Sequence, residues 1–179
     1  MQEIKIPCPV CGNDEAVLFE KNLNIPYYND FFMTSIICKK CGLRSTDFRN
    51  LHSSDHTKWI YRVTSLDDFE TKIVRSSTGI VEIPEIGIKV EPQMMPETWI
   101  KNVEGLLLHF QEKIAIFLQE EDVQIVQEAR KRISIIENLL QGEGEFTIIV
   151  EDPEGNSLII PYDDSKLQKK ILPKNKEGI

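Results

Sequence analysis

The sequence predicts a small four-cysteine ribbon followed by a mainly-β domain that is interrupted by a pair of α-helices. Three observations carry this. All 4 cysteines of the 179 residues fall into two Cys-x-x-Cys pairs, Cys8–Cys11 and Cys38–Cys41. Short β-branched and aromatic runs, broken by Pro, Gly, Asn and Asp, fill residues 59–90 and 146–160. Between those runs, over about residues 98–141, the apolar side chains switch to steps of three and four.

The ribbon comes first. A Cys-x-x-Cys turn sets two sulfurs on one side of a tight loop. Two such turns offer four soft ligands in a tetrahedron, which suits one Zn²⁺. Gly12 and Gly42 each follow the second cysteine of a pair, where glycine accepts positive φ and lets the backbone aim N–H groups at the sulfurs. Lys39, Lys40 and Arg44 stand close enough in sequence to offset thiolate charge. An iron–sulfur cluster would use the same four ligands, whereas a redox dithiol needs only one pair. No signal-like segment precedes Cys8, so a reducing compartment, the cytoplasm, is expected and disulfides are not. Four thiolates close the coordination shell against water and substrate, so the zinc is expected to be structural. Residues 1–50 hold too few apolar side chains for a core and are expected to depend on it for folding.

Each element follows from local pattern. Glu15–Glu20 reads as a strand, Asn22–Asp30 as a turn, and Phe31–Ile37 as the returning strand that enters the second cysteine pair. Tyr27, Tyr28, Phe31 and Phe32 form an aromatic cluster expected to pack around the ribbon. Residues 50–58 are polar and read as a linker. Trp59–Thr64 is a strand, Leu66–Ile73 a strand or a short helical turn starting at Ser65, and Thr78–Ile83 and Ile86–Val90 alternate as strands that stop at prolines. The first helix takes Thr98 as N-cap and Trp99, Val103, Leu106, Leu107, Phe110, Ile114, Phe117 and Leu118 as its apolar stripe. The second runs from about Asp122 and places Val126, Ala129, Ile133, Ile136 and Leu140 on one face, with Gly142 as its C-terminal cap. Both stripes are expected to be core. Only Glu120 and Glu121 separate the two, which allows a sharp antiparallel turn or one kinked helix. Phe146–Val150 and Ser157–Ile160 read as a hairpin closed by a tight turn at Asp152–Asn156. From Asp163 the chain is Lys-rich and is expected to be a flexible tail, residues 163–179. The expected domains are therefore 1–50, 51–162 and that tail.

The formal net charge is -8. Residues 1–50 are balanced, so the excess of Asp and Glu lies in the remainder. An acidic body suits a basic protein surface better than a polyphosphate partner. No apolar run reaches membrane-spanning length. Catalytic patterns find no anchor. The cysteines are committed to metal, no Gly-rich phosphate loop with Lys-Ser or Lys-Thr occurs, and Glu85 and Asp152 are not paired as acid and base. His52 and His56 flank Asp55 in the linker, where a polar loop explains them more simply than a second metal site, and His109 reads as a boundary residue of the first helix.

Several segments together carry a resemblance: Cys41-Gly42-Leu43-Arg44-Ser45-Thr46-Asp47, Val74-Arg75-Ser76-Ser77-Thr78, Val81-Glu82-Ile83-Pro84-Glu85-Ile86, Val103-Glu104-Gly105-Leu106-Leu107, and Phe146 through Ser157. In this order they resemble the ZPR-type zinc-finger family in its single-module, archaeal form. The resemblance implies a four-cysteine zinc ribbon, with Cys8, Cys11, Cys38 and Cys41 as ligands. It also implies a double-stranded β-helix-like sandwich that carries an inserted α-helical hairpin. Eukaryotic members hold this pair of modules twice and bind the GTPase translation elongation factor 1-alpha, in whose folding they are implicated. The expectation for this chain is a zinc-binding interaction module, an adaptor or folding chaperone for that factor, and not an enzyme. Arg44, Glu85, Asp152 and Asn156, polar residues of these motifs, are the candidates for partner contact. The alternative is a nucleic-acid-binding zinc ribbon of transcription or translation, using the basic cluster Lys39, Lys40, Arg44 and Arg49 beside aromatic residues.

Overall fold

A computed structural model describes residues 2–25, 29–51, 55–92 and 98–173. Strands β1 (Gln2–Ile6), β2 (Ala16–Ile25), β3 (Asn29–Ile37) and β4 (Arg44–Asn50) form an antiparallel sheet in that order. One cysteine knuckle joins β1 to β2 and the other joins β3 to β4. The central hairpin is longer than the sequence pattern suggests. Asn22–Ile25 and Asn29–Asp30, expected in a turn, pair as strand from Asn22↔Phe32 to Ile25↔Asn29. Phe31 explains why: its side chain is fully buried and joins the main core, so this end of the hairpin is anchored rather than free. Tyr27 and Tyr28, the rest of the expected aromatic cluster, lie outside the described residues.

The second part is a two-sheet sandwich. Its strands are β5 (His56–Val63), β6 (Lys72–Arg75), β7 (Ile80–Ile83), β8 (Ile88–Val90), β9 (Trp99–Asn102), β10 (Phe146–Asp152), β11 (Leu158–Ile160) and β12 (Leu167–Leu172). One sheet has the order β12-β5-β10-β7-β8 and the other β11-β6-β9. Burial alternates along β5 and β10, so Trp59, Tyr61, Val63, Phe146, Ile148 and Val150 all turn to one face. They meet Ile73, Val74, Leu158 and Ile159 of the smaller sheet in one buried cluster.

Four further sequence expectations differ from the structure. Residues 56–58 are not linker but the start of β5, with Thr57 buried opposite Asp152. The strand after the 152–156 turn does not return as a hairpin: β11 pairs with β6, while β10 is flanked by β5 and β7. The turn carries the chain from one sheet to the other, which a local turn signal cannot distinguish from a hairpin. Residues 163–172 are not a flexible tail. A short 3-10 turn at Asp164–Lys166 leads into β12, which pairs with β5 from Leu167↔Tyr61 to Leu172↔His56. Finally, Thr98 does not cap the first helix, because Trp99–Asn102 is strand β9, paired with β6.

Helices α1 (Val103–Ala115) and α2 (Val123–Leu140) form the inserted hairpin, joined through a 3-10 turn at Ile116–Gln119. Asn102 caps α1 by accepting from the Gly105 N–H, and Asp122 caps α2 by accepting from the Gln124 N–H. At the far end of α2 the Gly142 N–H donates to Leu139 O and the Glu143 N–H to Asn138 O, the pair of hydrogen bonds that closes a glycine-terminated helix. Val103, Leu106, Leu107, Phe110 and Ile114 of α1 are buried, as are Ala129, Ile136 and Leu139 of α2. The stripe stops there. Phe117 and Leu118, expected in the core, are exposed at the hairpin tip because α1 has already projected past the sandwich. Among the described residues no helix is long and apolar enough to cross a membrane.

Candidate metal centre and partner-contact residues

The two knuckles are near copies of each other. Cys8 N–H donates to Asn13 O and Gly12 N–H to Cys8 O; Cys38 N–H donates to Leu43 O and Gly42 N–H to Cys38 O. Gly12 and Gly42 sit at φ 68° and 77°, and a Cβ at either would meet nothing within 4 Å. Glycine is therefore required by the left-handed backbone and not by crowding. The knuckles bring all four sulfurs within 4.8 Å of one another. Cys8 Sγ lies 3.7 Å from Cys41 Sγ, and Cys11 Sγ 3.7 Å from Cys38 Sγ. A tetrahedron with Zn–S bonds of about 2.3 Å has edges of about 3.8 Å, so the spacing fits zinc held by sulfur alone. Cys8 and Cys38 are buried against Ala16, and Cys11 and Cys41 face outward.

Local donors favour thiolates. The Cys11 N–H lowers the Cys8 thiol, and the Cys41 N–H pulls Cys38 down to about 6, against the opposing effect of burial. At Cys41 the Leu43 N–H acts the same way, but burial and the facing sulfurs outweigh it and push that thiol up to about 12. Four negative sulfurs in so small a volume coexist only around a dication. The centre is therefore built to hold one zinc ion on Cys8, Cys11, Cys38 and Cys41, which would cross-link the two knuckles. Cys8, Cys11, Cys38 and Cys41 form the one cluster of potential ligands among the described residues. His56 is not a loop ligand: it lies on β5, with Nε2 2.9 Å from Glu151 Oε1 beside the Lys58–Glu151 ion pair. His52 lies outside the described residues.

The four candidate contact residues are not gathered into one site. Arg44 begins β4 and is exposed, directly after the second knuckle. Glu85 is exposed on the β7–β8 turn, near Arg62. Asp152 ends β10, about 20 Å along the strand from its start near Arg62. Its side chain is 0% exposed, so it is corrected from a contact to an internal hub. It accepts from Ser76 Oγ at 2.7 Å, Ser157 Oγ at 2.6 Å, Thr78 Oγ1 at 2.8 Å and the Glu154 N–H at 2.9 Å. This joins two of the sequence motifs and fastens the sheet-crossing turn. Asn156 is also buried and donates to Glu154 Oε2, so it too serves the turn.

A second hub escaped sequence reasoning. Asp68, fully buried beneath β5, accepts from Tyr61 Oη at 2.7 Å and from the Thr64 and Ser65 N–H groups at 2.8 and 3.0 Å. Lys166 Nζ reaches both its oxygens, at 2.9 and 2.7 Å. Burial alone would raise this carboxyl; the Lys166 ammonium and the three other donors overcome that and hold it well below the usual carboxylate range. Neither residue stands in a recognisable motif, and 98 positions separate them.

Residues 1–52 match the ZPR1 zinc-finger domain and residues 67–178 the ZPR1 jelly-roll domain. The chain belongs to the ZPR1 family. It is 32% identical to an uncharacterized ZPR1-like protein of Methanocaldococcus jannaschii, over 98% of this chain and 90% of that one. A ZPR1-like protein of Pyrococcus horikoshii is 30% identical over 99% of this chain and 83% of its own length. A Schizosaccharomyces pombe protein named a zinc finger chaperone is 26% identical over 87% of this chain, which covers only 35% of that longer protein.

Proposed function

We propose that this chain is a zinc-stabilised, non-enzymatic chaperone or adaptor, and that its client is the translation elongation factor 1-alpha GTPase. The observation that carries the reading is the tip of the helical hairpin. Ile116, Phe117 and Val123 are 62%, 48% and 65% exposed, and Leu118 and Ile125 stand beside them. Such clustering of apolar side chains on one projection is the mark of an interaction surface rather than of scattered surface leucines. A groove of about 440 Å³ opens there between the helices, lined by Ile114, Phe117, Ile125 and Ala129 together with the ion-paired Glu128 and Arg132. The acidic charge of -8 favours a basic client. The chaperone name of the yeast relative supports the class of activity, and the family resemblance supports the client.

The experiment is capture of purified archaeal elongation factor 1-alpha on the zinc-loaded chain, with GDP, with GTP, and during refolding from denaturant. Association in at least one of these is expected, and its loss with Phe117→Asp. Absence of association in all three rejects the client. The exposed Lys39, Lys40, Arg44 and Arg49 keep a nucleic-acid reading in view. A mobility shift of RNA that weakens steeply with salt would favour that reading instead.

A further inference from the structure

A cavity of about 350 Å³ opens where the ribbon meets the sandwich. The ribbon supplies Arg44, Ser45 and Thr46 from β4; the sandwich supplies Thr98 and β9 residues Trp99 and Lys101, with His109 of α1. Its chemistry is one-sided. A guanidinium, an ammonium, three hydroxyls, an imidazole and an indole line it, and among the described residues no carboxylate does. In a chain of net charge -8, such a lining runs against the composition. Behind the indole a further cation adds to the field: Arg75, wholly buried, lies 6.0 Å from the Trp99 ring centre, and Lys101 Nζ lies 5.9 Å from it. The carboxylate that follows Thr46, Asp47, is engaged by Thr98 Oγ1 at 2.9 Å and Ser77 Oγ at 3.3 Å, clamping ribbon to sandwich beside the cavity.

We propose that this seam cavity binds a small phosphate-bearing anion, gripped by Arg44 from the ribbon and Lys101 from the sandwich. A guanidinium fork and an ammonium point charge recognise a tetrahedral oxyanion together, and Thr46, on the same face of β4 as Arg44, adds a hydroxyl that it shares with Ser35 Oγ at 3.0 Å. The volume lies at the small end of ligand sites and exceeds what one phosphate fills. Trp99 and His109, whose ring centres are 6.1 Å apart, offer flat surfaces for a base or similar group. The phosphate can therefore come free or as part of a nucleotide. In either case the anion bridges Arg44 of the ribbon and Lys101 of the sandwich, beside the clamp that Asp47 already makes.

The test uses the full zinc-loaded chain at constant ionic strength set with chloride. Inorganic phosphate and a nucleoside triphosphate are titrated separately, read by calorimetry and by tryptophan fluorescence. Saturable binding at one site per chain is expected. Arg44→Gln and Lys101→Gln should each weaken it roughly tenfold or more, with zinc content and circular dichroism unchanged. Tighter binding of the nucleotide than of phosphate assigns a nucleotide site; equal binding assigns a phosphate site. No saturable signal with either probe overturns the proposal, as does undiminished binding by the double variant. A thermal stabilisation by phosphate that never saturates and survives in the double variant is surface exclusion of the salt, and also overturns it. Saturable binding of an acidic peptide but not of phosphate refutes the phosphate assignment.

Discussion

Replacing Lys166 with alanine removes the ammonium that lies within 2.9 Å of both oxygens of Asp68. The carboxylate is 0% exposed and the lysine side chain 25% exposed, so the pair is largely shielded from solvent. Breaking a buried ion pair by losing one partner costs about 3–5 kcal/mol. Here the Tyr61 hydroxyl and the Thr64 and Ser65 N–H groups still serve the carboxylate, and the partial exposure of Lys166 lets water replace some of the loss. The expected destabilisation is about 2 kcal/mol, or a fall in Tm of about 4–8 °C. Asp68 is depressed, so its contribution is complete above pH ~4 and is lost as pH falls toward its folded value. Lys166 is raised, so its contribution is complete below pH ~10 and is lost as pH rises through its folded value. The difference between wild type and Lys166→Ala should be flat between about pH 5 and pH 10 and shrink at both ends. Urea denaturation measures it, with Lys170→Ala, an exposed residue of the adjoining strand β12, as control. Hydrogen exchange of the β12 amides gives the local counterpart. A loss no greater than that of the control, or β12 amides unprotected in the wild type, would refute the reasoning.

Other predictions follow from the same structure. Phe117→Asp, at a 48% exposed position, should leave stability within about 0.5 kcal/mol while weakening client capture; a large loss of stability would show that this side chain is core. Asp152→Ala strips the acceptor from three hydroxyls and one N–H in a buried site. It should destabilise by about 2–4 kcal/mol in urea denaturation, and a neutral result would mean that the hub is dispensable. Chelation of zinc should withdraw on the order of 10 kcal/mol of binding energy from the ribbon. Amide signals of residues 2–25 and 29–51 should then collapse to unfolded positions, and their persistence would count against a structural ion.

Legibility followed locality. The metal centre was readable because its four ligands and two glycines announce themselves within two short segments. The helical hairpin was readable from periodicity, and Asp122 and Gly142 marked two of its ends. The β-sandwich was named only through the family resemblance, since alternation along β5 or β10 does not say which strand lies beside it. Pairing by proximity in sequence misplaced β11, which leaves β10 for the other sheet. Composition misjudged residues 163–172: the Lys-rich β12 is an edge strand, where exposed lysines are tolerated and also guard against edge-to-edge association. Asp152 looked like a loop residue for contact because two of its hydroxyl partners, Ser76 and Thr78, stand more than 70 positions away, and no local pattern brings them to the turn. The seam cavity was invisible for the same reason, as Arg44 and Lys101 meet only once the ribbon docks.

The claim on which the rest stands is that two knuckles grip one ion with sulfur alone and thereby shape a docking protein. X-ray absorption at the zinc edge on freshly purified chain, with metal content measured alongside, tests it most directly. One zinc per chain, with four sulfur neighbours at about 2.3 Å, is the expected result. A metal-free protein, an iron–sulfur spectrum, or an oxygen neighbour completing the shell would contradict it.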